Sequence, residues 1–284
     1  MRFLCLHGAS TSGAIFRAQT AAFRDKLGPG HLFDFVDAPH ACPAGPGIAA
    51  FFPEPYYSFW RSTDAAEVAQ THHWLLERLR QPEPYDALLC FSQGCAVAAS
   101  LIVAHQNETP ELALPFRAVI FICGGPPLPI LADWGLPIPR AAWEVHERTA
   151  RELWEQATAK QAQLLARRAK AQSSFSSSAG EAGRLESDRD DPWTLPAINP
   201  CDAFGLDLTR FPESCRLHLP TVHIYGRQDP RCPSAWQLAL LSDPTDRLVY
   251  DHGGAHEIPR TTRVSEAIAG AVAWLDDRLA RRSG

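Results

Sequence analysis

Tyr85-Asp86-Ala87-Leu88-Leu89-Cys90-Phe91-Ser92-Gln93-Gly94-Cys95-Ala96-Val97-Ala98-Ala99-Ser100-Leu101-Ile102-Val103-Ala104 decides how the rest of the chain is read. An apolar run reaches Phe91, Ser92-Gln93-Gly94 interrupts it, and a second apolar stretch follows that is rich in helix formers. This order predicts a buried strand, a sharp turn and a buried helix. The pattern is close to the nucleophile elbow, G-x-S-x-G, whose turn lifts a serine hydroxyl above the edge of a sheet. Cys90 stands where the first glycine would. Alone, the stretch also reads as an ordinary strand-to-helix turn.

Working outward, the strand–turn–helix rhythm recurs. Phe3 to Leu6 is a short apolar strand ended by His7-Gly8. The small polar run Ala9-Ser10-Thr11-Ser12-Gly13 follows, then a helix carrying Phe16, Ala21, Ala22 and Phe23. Leu32 to His40 alternates apolar and polar residues and reads as the second strand. Residues 41–60 are rich in Pro, Gly and aromatics (Phe51, Phe52, Tyr56, Tyr57, Phe59, Trp60). They predict a loop whose aromatic rim either lines a cleft or packs on the core. Ala65, Val68, Leu75, Leu76 and Leu79 mark a helix over 64–80.

Phe116 to Cys123 is the strand after the elbow, stopped by Gly124-Gly125-Pro126-Pro127. Pro220 to Gly226 is a further strand, a helix follows near Ser234–Ser242, and Arg247 to Tyr250 is the last strand. Val264, Ile268, Ala271, Val272, Leu275 and Leu279 mark a closing amphipathic helix. Strands alternating with helices predict an α/β fold with a mostly parallel sheet covered on both faces.

Residues 127–204 break this rhythm and divide the core into 1–126 and 205–284. Trp143, Ala150, Trp154, Ala157, Leu164 and Leu165 recur near helical period. They predict one long amphipathic helix over about 141–171, with Glu144–Arg148 and Glu147–Arg151 as i,i+4 pairs. The serine-rich run from Ser173 and the charged residues to Asp191 read as a disordered loop. The insertion is expected to cap the sheet. Its cations (Arg140, Arg148, Arg151, Lys160, Arg167, Arg168, Lys170) fit either an acidic partner or a solvated helix face.

Composition narrows the class. A chain of 284 residues, 45% hydrophobic, is enough for one large core with an inserted subdomain. A net charge of -5 argues against nucleic-acid binding. No uninterrupted apolar run approaches the ~20 residues of a membrane span. Met1 to Gly8 lacks the h-region of a signal peptide. The eight cysteines form no C-x-x-C pair. They read as free buried thiols in a reducing, cytoplasmic setting.

In a parallel sheet the ligand site lies beyond the carboxyl ends of the strands. Ser92, Asp229 and His256 each fall just past a strand, in the order serine, acid, histidine that is typical of α/β-hydrolases. Ser92 would be the nucleophile, His256 its base, and Asp229 the group that holds the imidazole tautomer. The backbone N–H groups of Ala9 and Gln93 would form the oxyanion hole. Asp243 and Asp251 compete with Asp229, and His252 competes with His256. An aspartate after a strand can also be a simple helix cap. Cys90 and Cys95 lie in apolar runs, where a thiol stays protonated and inert. No metal or organic cofactor is implied, since the cysteines show no zinc-ligand spacing.

Four stretches resemble the FSH-type serine hydrolases, a branch of the α/β-hydrolases. They are Leu4-Cys5-Leu6-His7-Gly8, Tyr85 to Gly94, Val222 to Asp229, and Gly253-Gly254-Ala255-His256-Glu257-Ile258-Pro259. Asp37-Ala38-Pro39-His40 and Tyr57 to Trp60 fit as well. The chain departs from the family pattern at Cys90 and at Ala255, which lengthens the glycine pair before the histidine. The resemblance implies an esterase or thioesterase. Some family members release polyketide chains from a synthase's carrier domain, so a small acyl ester or thioester and an acyl carrier domain are the implied partners. A small-molecule carboxylesterase is the alternative. An acyltransferase and a catalytically dead binding protein on the same fold stand behind it.

Overall fold

The computed structural model describes residues 1–173 and 191–283. The disordered loop expected between Ser173 and Asp191 lies, except for its end residues, outside the described residues. Alternating apolar runs form a six-stranded sheet of β1 (Arg2–Leu6), β2 (Leu32–Val36), β5 (Ala87–Phe91), β6 (Ala118–Ile122), β7 (Thr221–Tyr225) and β8 (Arg247–Asp251). The spatial order is β2-β1-β5-β6-β7-β8, and each neighbouring pair is parallel. The elbow strand β5 therefore sits near the middle, between β1 and β6.

Strand periodicity sorts side chains onto two faces. Leu4, Leu6, Leu88, Cys90, Val119 and Phe121 enter one apolar cluster. It is covered by α2 (Ala65–Leu79), α3 (Gln93–Glu108) and α4 (Leu128–Asp133). Phe3, Cys5, Leu89, Phe91, Ile120 and Ile122 enter the other, under α1 (Gly13–Arg24) and α7 (Thr262–Ser283). Each fully buried Phe, Leu or Ile contributes on the order of 2 kcal/mol. Helix α3 is buried nearly all round from Gly94 to Ala104, as expected of a helix under the centre of a sheet. It starts against β1, where a Cβ on Gly94 would run into the Leu6 carbonyl. Among the described residues, no helix is long and apolar enough to cross a membrane.

Two stretches differ from their sequence reading. Residues 41–60 hold more than a loop: β3 (His40–Cys42) pairs antiparallel with β4 (Tyr56–Ser58). The strand expected over Leu32–His40 ends at Val36, because the Asp37 carboxylate turns to accept the Gly13 amide at 2.9 Å. Both readings of the aromatic segment hold for different residues: Phe59 is fully buried in the core, whereas Trp60 lines the cleft.

The second difference concerns α5 (Arg140–Ser173), the long helix of the 127–204 stretch. Its inward residues are Ala142, His146, Thr149, Leu153 and Ala157, while Ala150 and Trp154 face solvent, the tryptophan 62% exposed. The apolar residues that marked the helix are split between its faces: Trp143 packs against the core cluster and Ala157 faces inward, while Ala150 and Trp154 point out. The true inner face meets a partly polar cleft and so carries His and Thr. The ion pairs formed are Arg140–Glu144 and Arg148–Glu152, not the two expected pairs. Residues 127–204 build no core of their own among the described residues: Leu128, Ile130, Leu131, Ala142 and Ala203 join the α3-side cluster. After the undescribed residues the chain returns along β8, where Asp251 N–H donates to Pro192 O and the Trp193 ring packs at a tilt against Tyr250, centroids 4.7 Å apart.

Candidate active site

Ser92 follows β5 directly and carries φ 52°, ψ −112°. A non-glycine residue there is strained, and such strain is characteristic of a serine bent out of a strand–helix turn. Three features hold the bend. Ser92 N–H donates to Ile122 O at 3.0 Å, Cys95 N–H donates back to Ser92 O at 3.0 Å, and Gly94 allows α3 to press on β1. Cys90 does not disturb the turn, since its side chain points into the α3-side core.

The loop after β8 brings His256 to this serine. His256 Nε2 lies 2.9 Å from Ser92 Oγ. Its Nδ1 lies 2.7 Å from Asp229 Oδ2. A carboxylate only accepts, so Nδ1 carries the proton and Nε2 is left to accept from the Ser92 hydroxyl. Asp229 is 3% exposed, and its Oδ1 accepts the Arg231 amide at 2.8 Å. The ring of Phe91 packs beside His256, centroids 5.3 Å apart. The added Ala255 is absorbed in a tight turn closed by Glu257 N–H to Ala255 O at 2.9 Å. The loop can approach β7 because residue 226 is glycine: a Cβ there would strike the Gly254 carbonyl.

The rival residues are engaged elsewhere. Asp251 accepts from the Arg227 amide and side chain and from the Gly253 amide. Asp243 accepts from Thr245. His252 Nδ1 accepts the Gly254 amide, and its Nε2 faces the Cys123 thiol at 3.8 Å. Cys123, Asp229 and His256 bring ligand-type atoms within 4.8 Å of one another. Burial, then the nearby Asp229, pushes the Cys123 thiol well above its usual range. A protonated thiol is a poor metal ligand. Burial likewise raises the Cys90 and Cys95 thiols, consistent with their inert reading.

The other two expected site residues flank Ser92. Gln93 is the first residue of α3, and its N–H has no partner within the helix. Ala9 lies in the exposed turn after β1. That turn passes close to the serine: a Cβ on Gly8 would sit 3.3 Å from Ser92 Cβ. Buried His7 braces it, its Nδ1–H donating to Gly8 O at 2.7 Å while Nε2 accepts the Ala38 amide at 3.1 Å. Burial lowers the His7 pKa, which keeps the ring neutral for this dual role.

Some site residues were not legible in the sequence. The Gln93 side chain accepts from Phe59 N–H at 2.9 Å and donates to Trp60 O at 3.1 Å. It thereby ties one cleft wall to the elbow. Helix α5 supplies His146 and Leu153, and the turn after β7 supplies Arg231. These close a cleft of about 240 Å³ over Ser92 and His256. A weak local signal existed for Arg231, which lies two residues past the expected acid. None existed for His146, whose role depends on how α5 is rotated.

A parallel sheet that presents a bent, histidine-bonded serine at its carboxyl edge places this protein among the α/β-hydrolases. More narrowly, the chain belongs to the family described as "Serine hydrolase (FSH1)", whose model matches residues 1–268. It is 28% identical to Esterase FPY3 of Fusarium mangiferae, over 92% of this chain and 89% of that one. It is 31% identical to Probable esterase tazC of Aspergillus terreus, over 92% of this chain and 87% of that one. Among solved structures it is similar to alpha/beta hydrolase domain-containing protein 10 from mouse, at 15% identity and a TM-score of 0.48, covering 98% of this chain and 90% of that one. The protein is a serine hydrolase.

Proposed function

We propose that the protein cleaves an acyl thioester or ester through Ser92, His256 and Asp229, by way of an acyl-enzyme. The observation that carries this reading is the unbroken Ser92–His256–Asp229 hydrogen-bond series. Ser92 Oγ attacks the acyl carbon as its proton passes to His256 Nε2. Asp229 holds the ring and stabilises the imidazolium. The oxyanion is held by the amides of Ala9 and Gln93. Collapse expels a thiol or alcohol, protonated by His256. Water then attacks the acyl-enzyme by the same route, releasing the acid and restoring the serine.

The substrate we favour is a polyketide or similar acyl chain in secondary metabolism, released from an acyl carrier domain. Residues 127–204 act as the cap, and Trp60, Ile130 and Leu153 give the cleft apolar walls for the chain. The second reading, a small-molecule carboxylesterase, is favoured by the esterase names of the relatives. All eight cysteines are free thiols, though not all are buried as the sequence reading had them: Cys42 is half-buried and Cys201 exposed. Their free state supports a reducing, cytoplasmic setting.

Fluorophosphonate labelling of wild type, Ser92→Ala and His256→Ala tests the site. Labelling of wild type and its loss in both variants is expected, since loss of a nucleophile costs on the order of a million-fold in turnover. Labelling that persists in a folded Ser92→Ala would sink the assignment. Rates on N-acetylcysteamine thioesters against oxygen esters of the same acyl chain separate the two readings.

A further inference from the structure

Arg231 does not behave like a surface arginine. Its guanidinium lines the cleft beside His256, on the side closed by α5. It is held from above: Nη1 donates to His146 O at 2.8 Å and to Thr149 Oγ1 at 2.9 Å, and Nη2 donates to His146 Nδ1 at 3.3 Å. Every one of these acceptors is neutral. The nearest acid, Asp229, is committed to His256 and to the Arg231 main-chain amide. Among the described residues, no carboxylate lies within 4.0 Å of the guanidinium. Three of its five N–H groups are accounted for, leaving Nε–H and one Nη2–H without an acceptor among the described residues.

The second observation is the state of His146. Burial, then the neighbouring Arg231 charge, lowers its pKa to about 4. The ring is therefore neutral at physiological pH. Because Nδ1 accepts from Arg231, the proton resides on Nε2, and His146 also lines the cleft. The α5 side of the cleft thus offers a fixed guanidinium and a fixed imidazole N–H, both donors. A half-buried cation with no carboxylate in contact with it, and only Asp229 acting on it from beyond contact distance, carries a desolvation penalty that an anionic ligand would offset.

From this geometry we infer that Arg231 and His146 form an anion subsite, and that the preferred substrate carries a carboxylate a few bonds from its scissile carbonyl. This inference rests on the acyl-enzyme reading above and specifies the substrate of that same site. The carboxylate could belong to the acyl chain or to the leaving group. Either would dock on the same donors.

The test uses the full chain. In one arm, 4-nitrophenyl monoesters of adipic and suberic acid are compared with their methyl-capped diesters. In the other, 3-carboxy-4-nitrophenyl hexanoate is compared with its methyl ester. Wild type is expected to favour the carboxylate form by about ten- to a hundredfold in kcat/KM in one arm, which also identifies the side that carries the charge. Arg231→Gln is expected to bring that ratio near one, and Arg231→Lys to restore part of it. Equal wild-type rates on charged and neutral forms in both arms would overturn the inference, with no variant needed. So would an Arg231→Gln enzyme that is slower on both forms but keeps the ratio, since a purely structural arginine behaves that way. If wild type neither turns over the neutral esters nor labels with a fluorophosphonate, the parent reading fails and the subsite falls with it.

Discussion

Asp229 Oδ2 lies 2.7 Å from His256 Nδ1, with the aspartate side chain 1% exposed and that of the histidine 14% exposed. Little water can substitute for this contact, so the ring tautomer depends on the carboxylate. Asp229→Asn should leave the fold intact and lower kcat by about four orders of magnitude, because an amide N–H facing Nδ1 selects the wrong tautomer. Steady-state kinetics beside a thermal melt checks this. Near wild-type turnover would mean that another acid orients the histidine.

Gly226 controls how closely the histidine loop approaches β7. In Gly226→Ala, the new methyl must displace the Gly254 carbonyl. The shift carries over to His256, two residues on. A misplacement of about 1 Å is worth roughly 100-fold in rate. The variant should remain folded, lose about that factor in kcat/KM, and label slowly with a fluorophosphonate. Unchanged kinetics would show that the loop relaxes without moving the ring.

Gln93 contributes through its side chain as well as its amide. Gln93→Ala strands the Phe59 N–H, which is part-buried with Gln93 as its acceptor. An unsatisfied buried donor costs about 1–3 kcal/mol. Chemical denaturation should show that loss, and kcat/KM should fall as the Trp60 wall loosens. Wild-type stability in the variant would mean that water replaces the side chain at no cost.

Buried histidines set the acid side of stability. His72, bonded to Ser100 Oγ at 2.8 Å, has its pKa lowered by burial to about 4. Its unfolded value is near 6.5, so between these two pH values the unfolded chain binds more protons. Stability therefore falls as the pH drops through that window. From pH 7 to 5 the contribution of His72 is about 2 kcal/mol. Denaturant midpoints at pH 7 and 5 should drop less in His72→Gln than in wild type. Equal drops would place the acid sensitivity elsewhere, for example on His223, which burial lowers to about 3.

The pair Lys160–Glu257 joins α5 to the residue after His256 at 3.2 Å, but both side chains are largely exposed. Exposed pairs are worth roughly 0–1 kcal/mol. Lys160→Ala should shift the melting temperature by no more than a few degrees. A larger drop would mean that the pair anchors α5.

The sequence by itself determined the alternation of strands and helices and the three residues that meet in the site. Both are local signals. Continuous apolar runs at Phe3–Leu6 and Ala87–Phe91 are what a parallel sheet covered on both faces requires, and Ser92, Asp229 and His256 each lie just past a strand that this sheet aligns. Even the departures at Cys90 and Ala255 were visible, though not their harmlessness. That depended on a core able to take the Cys90 side chain and a turn able to take one more residue. What only the tertiary structure decided was which polar groups face one another. Trp154 carries far more apolar surface than Thr149, yet the tryptophan faces solvent and the threonine holds Arg231. Rotation of α5 about its axis is set by the cleft it covers, not by its own periodicity. The Gln93 tie to Phe59 and Trp60 and the Arg231–His146 contact both join segments far apart in the chain. Their partners are chosen by packing, and one chain read in order carries no record of that choice.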